Sequence, residues 1–373
     1  MYNIVYITDE NYILPTKTSI NSIVQNITDT EICVNVICVE VTEKNQQAIK
    51  NLVSKNIKIN ILNFGNDYND LGLSHIYVSK AALFKFQIPL VFKDLDKILY
   101  VDGDMIFSQG FPEIFNFDIS EKYAAVVQDL LATCFEKWNE RLGHKKYFNS
   151  GMMYLNLKKM RADSITEKLI EYKKNDKENH FMDQNALNAV IGKNCLWVSP
   201  KFNMMATCNS DFIKIIYGQD FSEKAIADFY EISESEMQSA WKNPAILHIT
   251  SETKAWKNVN AARIDEWIQY SLKDDMLKVA KNYIVSLKLD FERQHGEMIQ
   301  KFTEQECRIE ALRNENAELN SKISALPQEL VESQNELRAQ REKLSELHGL
   351  ILNTRHRTLY GALEFLWQKF FKK

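Results

Sequence analysis

Lys97-Ile98-Leu99-Tyr100-Val101-Asp102-Gly103-Asp104 is the stretch on which the reading of this chain turns. Five apolar or amphipathic residues, bounded by an Asp-Gly pair, read as a short buried strand. Successive side chains of an extended chain alternate, so residues i and i+2 point the same way. Asp102 and Asp104 are thereby able to face one cation at the carboxyl edge of a sheet. Hard oxygen ligands suit Mn²⁺ or Mg²⁺, and such ions usually also hold substrate phosphates. Gly103 lets the backbone turn or approach a ligand closely. On its own the triplet is an ordinary solvated turn, and the strand in front of it is what lifts it above that.

Upstream of this strand the signals alternate. Asn3–Thr8, Ile32–Val41 and Ile57–Leu62 are strand-like, while residues 12–26, 43–54 and 79–92 are helical, the last ending near Pro89. Strands alternating with helices at this spacing predict an α/β fold, with a mostly parallel sheet covered on both faces. Ligands of such sheets bind beyond the carboxyl ends of the strands. Thr8-Asp9-Glu10-Asn11 ends the first strand at that edge, as a nucleotide contact or as a plain turn or helix cap. Downstream, Asn149-Ser150-Gly151 precedes a second strand-like run and offers either a turn or an amide and bare backbone for sugar hydroxyls. Asp183-Gln184 opens a helix, where Asp is an ordinary N-terminal residue or a polar group near a reacting centre. His248 closes the apolar run Ala245-Ile246-Leu247 and is a satisfied boundary histidine or a neutral imidazole metal ligand. Lys254 follows, as a surface lysine or a cation for a diphosphate.

Near residue 285 the chain changes character. Length alone suggests two units plus something extended. With position a at 302, the a residues are Phe302, Ile309, Asn316, Ile323, Leu330, Leu337, Leu344 and Ile351; the d residues are Met298, Gln305, Leu312, Leu319, Leu326, Ser333, Gln340 and Leu347. Twelve of these 16 are apolar, which predicts a coiled coil over 298–351 after a helical connector at 271–297. Asn316 at an a position is a register-fixing residue, often of a dimer, and Pro327 should kink or divide the helix. The plain alternative is one amphipathic helix folded back on the catalytic part. Residues 352–373 form a basic amphipathic segment. From Arg355 onward, five Lys or Arg stand against Glu364, and Leu359, Leu363, Leu366 and Phe370 line one face beside Tyr360, Trp367 and Phe371. That pattern suits a helix lying on an anionic membrane surface, or a helix docked on the protein's own core.

Composition narrows the classes. Apolar residues are 45% and charged residues 26%, which excludes wholesale disorder, and a net charge of −4 gives no electrostatic case for nucleic acid. Six cysteines without CxxC pairing read as reduced thiols of a cytoplasmic protein. The N-terminus has no signal-peptide pattern, and no apolar run is long enough to span a bilayer.

Taken together and in order, ITDENY (7–12), LYVDGD (99–104), YFNSGMMYLNLKKMR (147–161), the DQ of HFMDQNALN (180–188) and HITSETKAW (248–256) resemble glycosyltransferase family 8, the retaining GT-A enzymes. The resemblance covers roughly residues 1–265 and implies a GT-A catalytic domain over 1–270. It implies a UDP-sugar donor and Mn²⁺, with Mg²⁺ the alternative. By it, Asp102, Asp104 and His248 look like the metal ligands. Thr8, Asp9 and Asn11 look like the uridine edge, Lys254 a diphosphate contact, and Lys85, Gly103 and Asn149 further donor contacts. Asp129 looks like a contact to the transferred sugar or acceptor, with Asp183 and Gln184 at the reacting face. Three departures stand out. Lys85 replaces the family's usual Arg, keeping charge but losing bidentate geometry. In the closing H-x-x-G-x-x-K-P-W motif, Ser251 stands for Gly and Ala255 for Pro.

The resulting expectation is a metal-dependent retaining hexosyltransferase acting on a glycan or lipid-linked saccharide in lipopolysaccharide or other surface-glycan synthesis. It would be a homo-oligomer through the coiled coil, peripheral on the inner face of the cell membrane. A catalytically weak coiled-coil scaffold is the competing reading, and the altered closing motif is its support. A nucleotidyltransferase fits less well, because residues 1–30 contain no Gly for a phosphate loop.

Overall fold

The computed structural model describes residues 1–64, 80–133, 146–175, 182–208, 213–214, 221–250, 254–324 and 335–346. The chain divides into two compact units, Met1–Ser286 and Leu287–Lys373. The division falls inside the segment expected to connect catalytic domain and coiled coil.

The first unit is built on a seven-stranded mixed sheet ordered β3-β2-β1-β4-β7-β6-β8. The strands are β1 (Tyr2–Asp9), β2 (Ile32–Val39), β3 (Ile57–Phe64), β4 (Lys97–Val101), β6 (Ala124–Gln128), β7 (Phe148–Asn156) and β8 (Cys195–Trp197). β1, β2, β3 and β4 run parallel, while β7 is antiparallel to both β4 and β6. A small second sheet, β5-β10-β9, joins β5 (Met105–Phe107), β9 (Met204–Met205) and β10 (Ile246–His248).

Both faces of the sheet's inner strands are buried, so β2 and β4 are apolar at nearly every position, while the edge strand β3 alternates with exposed Lys58, Asn60 and Asn63. Ile4, Tyr6, Val34, Val36, Leu99, Val101 and Tyr154 face one core, with Ile13, Ile20 and Ile23 of helix Ile13–Asn26. The alternate residues Val5, Ile37, Ile98, Tyr100, Met153 and Leu155 face another, with Phe84 and Ile88 of helix Lys80–Val91 and Leu187 of helix Met182–Ile191. This period of two places Tyr100 and Asp102 on the same side of their strand.

One sequence boundary moves and one holds. Helix Lys80–Val91 matches the expected 79–92 and ends just past Pro89, which it contains. Proline withdraws one N–H from the ladder, yet Phe92 N still bonds Ile88 O, and the Arg161 guanidinium donates to the carbonyls of Pro89, Phe92 and Leu95. A cation on the last carbonyls opposes the helix-breaking effect of the ring. The helix expected over 43–54 is shorter, Glu43–Lys50, capped by the Thr42 side chain and closed by the Asn51 turn.

Helix Lys273–Ser324 begins in the first unit and supplies most of the described residues of the second. Within the second unit, residues 335–346 are helical, and the a-position residues Ile309, Asn316 and Leu344 line a cavity of about 420 Å³ shared by both helical stretches. Asn316 and Leu337 are buried, and Asn316 Oδ1 has no partner among the described residues. Pro327, Leu326, Leu330, Ser333, Leu347, Ile351 and the basic segment 352–373 lie outside the described residues.

Candidate metal and donor site

Strand order creates the cleft. β1 has β2 on one side and β4 on the other, so connections diverge between β1 and β4, the place where open sheets bind ligands. Asp9 ends β1 there, and Asp102 follows β4. Because β7 runs antiparallel, its first residues return to the same edge: Val101 pairs with Met152, and Asp102 N donates to Gly151 O at 2.8 Å. The second sheet adds the distant histidine. β10 pairs His248 with Met105, the residue after Asp104, and Ile249 N bonds Asp104 O at 2.9 Å.

Asp102, Asp104 and His248 are thus brought together, each offering a ligand atom within 4.8 Å of the others. Two carboxylates and an imidazole form a donor set suited to Mn²⁺ or Mg²⁺. Two further observations support a cation here. His248 Nδ1 lies 2.9 Å from Asn203 Oδ1, which orients the ring and turns Nε2 toward the carboxylates, 3.3 Å from Asp104 Oδ1. Gly151 keeps the space clear: a methyl there would lie 2.4 Å from His248 Cε1 and 2.9 Å from Asp102 Oδ2.

Charge around the ligands is nearly balanced. Burial pushes the Asp104 carboxyl up, but His248 and Lys254 outweigh it and hold it well below the usual carboxylate range. Lys254 Nζ is 2.8 Å from Asp104 Oδ2 and stays protonated, Asp104 outweighing the effect of burial. Lys85 is 8% exposed, with Nζ 2.8 Å from Asp183 Oδ2 and 3.3 Å from Asp102 Oδ1. Burial alone would pull this ammonium down; the two carboxylates raise it above an ordinary lysine. It also lies 4.9 Å from the centre of the Tyr100 ring, whose hydroxyl donates to Asp102 Oδ1 at 2.6 Å.

From His248 a hydrogen-bonded chain crosses the floor of the cleft. Asn203 Nδ2 donates to Asn149 Oδ1, Asn149 Nδ2 to Asp129 Oδ2, and Gln184 Nε2 to the same Asp129 oxygen. Gln184 Oε1 accepts from Ser150 N, and Asp183 Oδ2 from the Ser150 hydroxyl. Asp129, Asn149, Asp183 and Gln184 are therefore one network with the ligand set. Four other expected residues shape the β1 edge. Asp9 Oδ1 accepts from Asn11 N and Tyr12 N, so Asp9 and Asn11 form a turn at the β1 edge. The Thr8 hydroxyl is buried at 3.0 Å from the Thr16 hydroxyl. Gly103 sits so close to Thr16 that a methyl would lie 2.4 Å from its Oγ1. Ser251 is outside the described residues.

Sequence reasoning missed Asn203; Ser150, Tyr100, Tyr12 and Trp256 stand in the motifs it quotes without a role of their own. Tyr100 was legible, since i and i+2 share a face. Asn203 carries no local signal, because only the β9–β10 pairing brings it to His248. Tyr12 is 38% exposed at the cleft, with its ring 5.6 Å from Trp256.

Residues 3–260 match the profile described as Glycosyl transferase family 8. A putative glycosyltransferase of Haemophilus influenzae (strain ATCC 51907 / DSM 11121 / KW20 / Rd) is 26% identical over 218 residues, 57% of this chain and 66% of its own length. A lipopolysaccharide 1,2-glucosyltransferase of Escherichia coli (strain K12) is 25% identical over 296 residues, 76% of this chain and 87% of its own. Among solved structures, the bifunctional glycosyltransferase WbbM shares the fold with a TM-score of 0.64 at 19% identity, over 76% of this chain and 52% of that one. The galactosyltransferase LgtC, solved with donor and acceptor sugar analogues, shares it at 0.59 and 21%, over 74% and 99%.

Proposed function

Because this chain belongs to glycosyl transferase family 8, we propose that it transfers a hexose from a UDP-sugar to a glycan acceptor with retention of configuration, in lipopolysaccharide or another surface glycan. The observation that carries the reading is the Asp102–Asp104–His248 set at the β1/β4 edge. The named role of the Escherichia coli relative supports a lipopolysaccharide-type acceptor.

A divalent cation, Mn²⁺ first, would be held by Asp102, Asp104 and His248 and would supply Lewis-acid stabilisation of the departing diphosphate. The chain's own residues do the rest. Tyr100 and Lys85 hold Asp102 in one orientation, and Asn203 holds His248. Lys254, now on Asp104, is the cation available to diphosphate oxygens, and Tyr12 offers a ring face to the base at the β1 edge. Gln184 and Asp129 present an amide and a carboxylate to the sugar. Asp183 is tied to Lys85 and Ser150, which favours a positioning role over attack on the anomeric carbon, and so favours departure and entry on one face.

The exposed Phe291, Ile299 and Leu319 support association of copies through the second unit, and the basic segment 352–373 supports attachment to an anionic membrane surface. No helix among the described residues is long and apolar enough to cross a membrane.

The test is a panel of UDP-sugars with Mn²⁺ or EDTA, reading released UDP and, by NMR, the anomeric configuration of the product. Metal-dependent release from one sugar with retention is expected, and Asp104→Asn should abolish it while leaving the circular dichroism unchanged. Full turnover in Asp104→Asn would sink the site assignment. Silence across the panel with no UDP binding would favour the scaffold reading.

A further inference from the structure

The segment that bears Lys254 is fastened from a direction the motif does not reveal. Residues 254–258 form a turn, with Lys257 N and Asn258 N bonded to Lys254 O at 2.8 and 2.9 Å. Its next two carbonyls point away from the cleft, onto helix Lys273–Ser324. Tyr283 Oη donates to Ala255 O at 2.5 Å, and Asn282 Nδ2 donates to Trp256 O at 2.9 Å.

The fastening is buried and anchored in turn. Tyr283 and Val279 are buried, as are Ala255 and Trp256. The Trp256 ring meets Trp267 at 6.2 Å and, on the cleft side, Tyr12 at 5.6 Å and Lys254 Nζ at 5.7 Å. The start of the helix is pinned to helix Ile13–Asn26 by Lys17 Nζ, 2.7 Å from Asp275 Oδ2. Asn21 Nδ2 adds a bond to Tyr270 O just ahead of it. A buried hydroxyl and a half-buried amide, each donating to the backbone carbonyl of one of two consecutive residues, restrict the backbone beside Lys254. The entropy of ordering that side chain on a ligand is then lowered before the ligand arrives.

We propose that Asn282 and Tyr283 are positioning residues for the donor diphosphate. By holding the carbonyls of Trp256 and Ala255, they set Lys254 against the Asp102–Asp104–His248 cluster, so the first turns of the long helix belong to the donor-binding machinery. This rests on the reading of Lys254 as the diphosphate contact.

The experiment uses the full chain and its Tyr283→Phe, Asn282→Ala, Lys254→Ala and Tyr283→Phe/Lys254→Ala variants. Calorimetry with UDP and Mn²⁺ reads affinity, and hydrogen exchange reads the amides of residues 255–258. Tyr283→Phe keeps the ring and removes one hydrogen bond, so affinity should fall about tenfold and exchange at 257–258 should quicken. In the Lys254→Ala background the same change should cost no further affinity. A purely structural tyrosine would lower the melting temperature and leave the two effects additive; additivity overturns the proposal. Unchanged affinity in both Tyr283→Phe and Asn282→Ala overturns it too, whatever the exchange shows. Failure of the wild type to bind UDP with Mn²⁺ would count against the donor reading, and exchange would then decide separately: unchanged protection at 257–258 sinks the fastening itself.

Discussion

Gly151 shows how one absent side chain serves a site. Its backbone oxygen fixes Asp102 and its N–H is held by Asn149 Oδ1, while its missing methyl leaves room between His248 and Asp102. Neither Gly151 nor Gly103 has a left-handed backbone, so each is required for space and not for conformational freedom. Gly151→Ala should fold with a modest loss of stability, about 1–3 kcal/mol for overpacking. Its Mn²⁺ affinity should drop about 10–100-fold, the range for disturbing the support of metal ligands. Mn²⁺ titration followed by electron paramagnetic resonance checks this, and wild-type affinity in the variant would refute the packing argument. The alternation of strand side chains made Asp102 and Asp104 readable as a pair. The close approach of Gly151 to His248 was not readable, because the two lie far apart in the chain.

Elements matter here through their ends. Helix Lys80–Val91 carries Lys85 into the cleft and ends just past Pro89. Arg161, from helix Leu157–Ala162, closes that helix with donations to three carbonyls. Arg161→Ala should remove charged hydrogen bonds from partly buried oxygens and destabilise the fold by about 1–3 kcal/mol. Urea denaturation should show a lower midpoint with an unchanged slope; an unchanged midpoint would show that the helix end needs no cation. The sequence places this helix to within a residue at each end, 79–92 against Lys80–Val91, but proline is a local signal and Arg161, the distant group beside it, carries no mark in the sequence. The three short strands around β10 were invisible as elements, at two or three residues each, yet their pairing is what delivers His248.

At the scale of the molecule, two compact units divide near the point where composition changes, and one helix serves both. Its first turns pack under the segment bearing Lys254, while its later heptads meet residues 335–346 over a shared cavity. The membrane reading rests on charge and aromatic pattern alone. Deleting Arg355–Lys373 removes a balance of +4 and an aromatic face. Binding to vesicles containing anionic lipid should be lost, and donor hydrolysis should persist. Sedimentation with vesicles, with and without salt, measures the first; unchanged binding after deletion would remove the tail's role.

What the amino-acid sequence determined by itself is whatever depends on near neighbours. The alternation of apolar strands and helices, the paired acids behind Lys97–Val101 and the heptad spacing of the second unit all arise from residues a few positions apart, where strand and helix periods act. The tertiary structure alone decided which distant groups meet. Asn203 orients His248, Lys85 bridges Asp102 and Asp183, and Asn282 and Tyr283 hold the turn behind Lys254. Those contacts depend on strand order and register between remote segments, and a one-residue slip in β10 would turn His248 to the other face of its sheet.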